Sequence, residues 1–90
     1  MLEAVKLALR VSSTAFDFEI QDLIDAGESD LRLAGIYFVD NKDALIKRAI
    51  ILYAKANYGL DSPNAERYGD SYYLLKQHLS LAGDYNEPLV

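Results

Sequence analysis

The side chains able to do chemistry in this chain are one histidine, a run of carboxylates and seven tyrosines. His78 falls near the end of a helical pattern. An imidazole there can act as a general base, or it can be an exposed histidine favoured by the negative end of the helix dipole. No nucleophile or partner acid stands at a spacing that selects catalysis. Asp17, Glu19, Asp22, Asp25, Glu28 and Asp30 follow one another with no basic residue between them. Paired carboxylates do acid–base work or hold magnesium. Spread along the outer side of a helix, they make a solvated face, or a field turned toward DNA or a basic partner. Tyr37, Tyr53, Tyr58, Tyr68, Tyr72, Tyr73 and Tyr85 would stack bases if basic residues were interleaved with them, but on the fourth helix only Arg67 and Lys76 come close enough. Tyrosine also suits protein interfaces, with its apolar ring and water-tolerant hydroxyl. Tyr68 and Tyr72 fall on a core seam; Tyr73 falls off it and is the better interface candidate.

The bulk figures narrow the chemistry further. No phosphate loop, zincin, nucleophile-elbow or calcium-loop pattern is present. With no cysteine and a single histidine, disulfides, thiolate metal sites and an imidazole cluster within one chain are excluded. No catalytic residue, cofactor or metal is expected. Hydrophobic residues make up 51% of the chain, which favours a folded core over disorder. At 90 residues that core is thin and belongs to one domain. The net charge of −5 opposes a surface built to grip phosphates. No apolar run approaches the roughly 20 residues that a membrane span needs, and MLEAVKLALR lacks the apolar block of a signal peptide. A soluble, cytoplasmically made protein is the expectation.

Four helices position these residues. Leu2, Val5 and Leu9 give the first, from about Leu2 to Arg10. Thr14 with Asp17 reads as a capping box opening the second, from about Ala15 to Ala34. Its inner stripe is Phe16, Ile20, Leu23, Ile24, Gly27, Leu31 and Ala34, with Gly35 as the stop. Ile36 to Val39 is apolar without helical period. Asp40, with Asp43 three positions on, reads as a further cap, opening a third helix from about Asn41 to Tyr58. That helix is apolar almost all round, with Lys47, Arg48 and Lys55 as its polar exits, and it must lie among the other three. Ser62 and Pro63 read as N-cap and first position of the fourth helix, whose seam is Ala65, Tyr68, Tyr72, Leu75, Leu79 and Ala82. The fold expected is all-α: a small four-helix domain over residues 1–83 with a central hydrophobic third helix, and a flexible tail over 84–90. Gly27, on the apolar stripe, and Gly69 are either tolerated costs or points where another backbone comes close.

The stretches MLEAVKLALRVSSTAFDFEIQDLIDAG, DLRLAGI, DALIKRAIILYAKANYG and SPNAERYGDSYYLLKQHL resemble, over nearly the whole chain, the small head–tail connector or DNA-packaging adaptor proteins of tailed bacteriophages. Phe16, Asp17, Glu19, Ile20, Leu23 and Ile24 match that family's F-D-x-E-I-x-x-L-I pattern, and Leu45 through Gly59 match its third-helix pattern. The resemblance implies a structural virion component at the head–tail junction, made in the host cytoplasm. It implies a twelve-fold ring of copies beneath the portal protein, docking a stopper or tail-completion protein. DNA would pass through without specific binding, and no membrane is involved. Ile36, Tyr37, Phe38, Val39, Tyr73, Tyr85 and Leu89 are candidates for contacts outside the subunit. Ile36 to Val39 is alternatively a plug on the subunit's own core. Asp22, Asp25 and Glu28 are candidates for lining the DNA channel, where carboxylates would repel the duplex. The competing readings are a small helical regulator that binds DNA or protein, and a small-molecule binder or enzyme subunit with a site between helices.

Overall fold

A computed structural model describes residues 1–36, 39–40, 42–59, 63–82 and 85. Its helices are α1 (Leu2–Leu9), α2 (Asp17–Leu33), α3 (Ala44–Asn57) and α4 (Ala65–Leu81), so the all-α expectation holds. α3 packs against each of the other three, and α1 also packs against α2. The hydrophobic third helix is therefore central. It supplies Ile46, Ala49, Ile50, Leu52 and Ala54 to a core completed by Val5, Ile20, Ile24, Leu31, Ile36, Tyr72 and Leu79. The burial of α3 is not complete, since Lys47 and Arg48 are exposed and Leu45 is 48% exposed. The subunit is elongated, at 45 × 24 × 18 Å.

The helix ends show how local chemistry sets these limits, and where sequence patterns mislead. The start of α2 is later than its capping-box pattern suggests. Thr14 caps nothing with its side chain; its carbonyl accepts from the Asp17 amide, while Ser13 Oγ takes the Ala15 amide. Asp17 is instead drawn to Lys6, whose ammonium lies 2.7 Å from Oδ1. That contact is ionic and off the line of a good hydrogen bond, as Oδ1 has no aligned donor. Lys6 is only 6% exposed, so its stem packs in the α1–α2 joint while its charge reaches Asp17. The cap of α3 is Asp43, with Oδ1 accepting from the amides of Leu45 and Ile46. Asp40 serves only a turn, taking the Lys42 amide. α4 starts at Ala65 with Asn64 before it, so Pro63 lies in the preceding turn and not in the first helical position; Ser62 lies outside the described residues.

Two helices close with the same device. After α2, Gly35 takes φ +90°, its amide donates to Arg32, and the Ile36 amide donates to Leu31. This is a Schellman turn, which places the residue after the glycine against the last helical turn. After α1, Val11 donates to Lys6 around Arg10, which stands at φ 61°. Arg10 occupies a conformation that suits glycine and costs other residues roughly 1–2 kcal/mol.

Gly27 has a specific reason to lack a side chain. A Cβ there would meet the Tyr53 ring at 3.2 Å and Ile50 Cδ1 at 3.3 Å. The close approach comes from side chains of the same subunit, not from another backbone. Gly69 differs, since its nearest neighbour would be Ala56 Cβ at 3.9 Å, an ordinary contact. Gly69→Ala is expected to raise unfolding stability by about 0.5–1 kcal/mol through helix propensity alone. Gly27→Val should lower it by about 1–3 kcal/mol by displacing the Tyr53 ring. Urea unfolding followed by circular dichroism measures both; a stabilising Gly27→Val would contradict this account of the packing.

Candidate interaction surfaces

The catalytic possibilities raised by the sequence do not come together. His78 is exposed in the last turn of α4. Among the described residues no three His, Cys, Asp or Glu side chains could share a metal ion. The acidic run on α2 is divided in its roles. Asp17 faces Lys6. Asp30 Oδ2 accepts from the Tyr72 hydroxyl at 2.5 Å and from Lys76 Nζ at 3.0 Å. Glu28 is half-buried, with Arg32 at 3.9 Å. Asp22 and Asp25 remain on the exposed side, where Asp25 accepts from Gln21 one turn earlier.

The Asp30 cluster joins α2 to α4 across α3. Tyr72 is 7% exposed, and its ring meets the Tyr53 ring edge-on at 5.2 Å. Lys76 sits over both Tyr72 and Tyr73. Burial works to raise the Asp30 carboxyl, but the Tyr72 hydroxyl and then Lys76 hold it below its ordinary value of 3.8. Burial, followed by the Asp30 charge, pushes the Tyr72 hydroxyl far up. At the start of α3, Tyr85 donates to Asp43 Oδ2 at 2.8 Å. That bond, against a smaller opposing effect of burial and with help from the Ile46 and Leu45 amides, lowers the Asp43 carboxyl.

The contact residues expected from sequence separate into groups. Ile36 is a correction: it is fully buried, and the Schellman turn after Gly35 makes it the plug on its own core. Val39 is half-buried against that core. Tyr85, the one described residue of the expected tail, is half-buried and donates to Asp43. Tyr73 is 55% exposed, as its place off the α4 seam suggested. Tyr37, Phe38 and Leu89 lie outside the described residues. Phe16, placed on the inner stripe, is 47% exposed and meets Tyr58 edge-on at the rim.

Sequence reasoning passed over two features. One is a set of apolar side chains turned to solvent: Leu7, Phe18, Leu33 and Leu81 are 81%, 90%, 87% and 84% exposed. Their signal is angular. At about 100° per residue, Phe18 and Leu33 fall opposite the buried stripe of α2, on the same line as Asp22, Asp25 and Ser29. The other is an open groove of about 360 Å³ between the ends of α1 and α3 and the start of α4, lined by Ala8, Leu9, Arg10, Lys55, Tyr58 and Tyr68. Lys55 lies 5.1 Å from the centre of the Tyr68 ring. Its lining comes from three separated stretches of chain, so no local pattern announces it.

The Asp30 cluster sets a pH response. A carboxyl lowered in the folded state stabilises the fold above its unfolded pKa and ceases to do so as pH falls through its folded one. Stability should therefore drop below about pH 4, with a smaller drop in Asp30→Asn. Tyr72→Phe should cost about 1.5–3 kcal/mol at neutral pH, the worth of one hydrogen bond to a charged group. Denaturant midpoints across pH 3–7 test this; an unchanged acid limb in Asp30→Asn would refute it.

Comparison with known proteins adds the family. No curated protein and no solved structure is matched by the chain. The phage connector protein family matches residues 1–86, which takes in all four helices and Tyr85. The chain belongs to the phage connector protein family.

Proposed function

We propose that this chain is a ring-forming subunit of the phage neck. Copies of it assemble beneath the portal, extend the DNA channel and present a docking face to a stopper or tail-completion protein. The family match gives the connector role, and connectors are structural virion components. The observation that supports ring assembly is the exposed apolar set. Leu7, Phe18, Leu33 and Leu81 are each more than four-fifths exposed in a subunit with a small core. Isolated apolar residues on a surface are ordinary. Here they stand on the outer faces of α1, α2 and α4, where a neighbour or portal contact would cover them.

The duplex is a passenger in this reading. The net charge of −5 opposes retention of DNA by many phosphate contacts. Among the described residues no helix is long and apolar enough to cross a membrane. Exposed Phe18 and Leu33 at the two ends of the Asp22–Asp25 line favour contact with protein there over a purely acidic channel wall.

The purified chain mixed with portal rings of its phage should add a ring of density to them in electron micrographs, and necks from virions should contain it. It should leave duplex DNA unshifted at about 0.15 M salt. Tight duplex binding without portal association would favour the regulator reading and remove the connector one.

A further inference from the structure

We infer that the outer face of α2 is one half of a head-to-tail contact between copies, and that the basic side of α3 with its adjoining groove is the other half. This rests on the connector reading and names the surfaces that would carry it. The two faces are complementary in kind. The α2 face carries Phe18, Asp22, Asp25 and Leu33 in a line, with both phenylalanine and leucine almost fully exposed. The outward side of α3 carries Lys47, Arg48, Ile51 and Lys55, the residues between its buried positions at the helical period. Lys47 and Arg48 are exposed, and among the described residues no acidic side chain of the subunit pairs with either.

The spacing matches as well. Phe18 and Asp25 stand two helical turns apart, and so do Lys55 and Arg48, about 10 Å in each helix. An α2 laid antiparallel along a neighbour's α3 brings Asp25 to Arg48 when Phe18 reaches the groove beside Lys55. The groove offers a phenyl ring both aromatic and apolar neighbours, with Tyr58, Tyr68, Leu9 and Ala8 among its lining. An aromatic anchor in such a groove, ringed by charge pairs, is the usual form of an interface hot spot. Arg10 stands at the rim in its left-handed conformation, where glycine would be the more stable residue. Its guanidinium adds a cation at the groove end of the contact, where Phe18 enters.

The two halves are different surfaces of one molecule, so the contact is heterologous. Repeated by rotation it closes into a ring. It also places Asp22 and Asp25 at the seam between subunits and away from the duplex.

The test uses the full chain with purified portal rings, followed by sedimentation velocity and electron microscopy. Asp22→Lys with Asp25→Lys should raise the concentration needed for assembly by roughly ten-fold or more, since like charges then meet across the seam. Lys47→Asp with Arg48→Asp should do the same, and Phe18→Ala should weaken assembly by a similar factor. The chain carrying all four charge changes should assemble again, because the two faces once more carry opposite charge. Normal assembly of the α2 reversal, or no recovery in the four-change chain with its helices intact by circular dichroism, overturns this contact and leaves the connector reading standing. A wild-type chain that never joins the portal overturns both.

Discussion

The fold depends on giving α3 neighbours on three sides, and the contact that makes this geometry specific is aromatic. Gly27 on α2 leaves room for the Tyr53 ring of α3. That ring meets Tyr72 of α4 edge-on, and the Tyr72 hydroxyl returns to Asp30, one turn beyond Gly27 on α2. Three helices are thereby tied in a closed circuit. The hydrophobic effect brings α3 inside without regard to angle. The circuit fixes angle and register, because a glycine, two rings and a carboxylate must coincide.

This division explains what was legible in the sequence. The helices, the central place of α3 and the stops at Gly35 and Gly59 follow from period and from glycine's access to positive φ. The exact starts did not follow. Thr14 and Asp17 have the letters of a capping box, but Lys6 from another helix competes for Asp17 and wins. Ile36 lies outside any helical period, and the pattern left two readings open, a contact with a neighbour or a plug on its own core. The turn that ends α2 returns it to the core, and that turn is a backbone event that a hydrophobicity pattern does not record.

The candidate surfaces were less legible than the fold. A periodic reading finds the stripe that is buried and says little about which residues stand opposite it. Phe18 falls inside a family motif as an unspecified position, yet it is among the most exposed side chains of the subunit. The six carboxylates of α2 looked like one face. In three dimensions Asp17, Glu28 and Asp30 have cationic neighbours within the subunit, while Glu19, Asp22 and Asp25 are exposed. Charge counted along a chain overstates charge presented to a partner, because long-range pairing is invisible to it.

Asp43 divides its two oxygens between separate tasks. Oδ1 holds the first amides of α3, and Oδ2 holds the hydroxyl of Tyr85. One carboxylate thus joins the start of the central helix to a residue far along the chain, so replacing Asp43 would remove a helix cap and a long-range tie in one step.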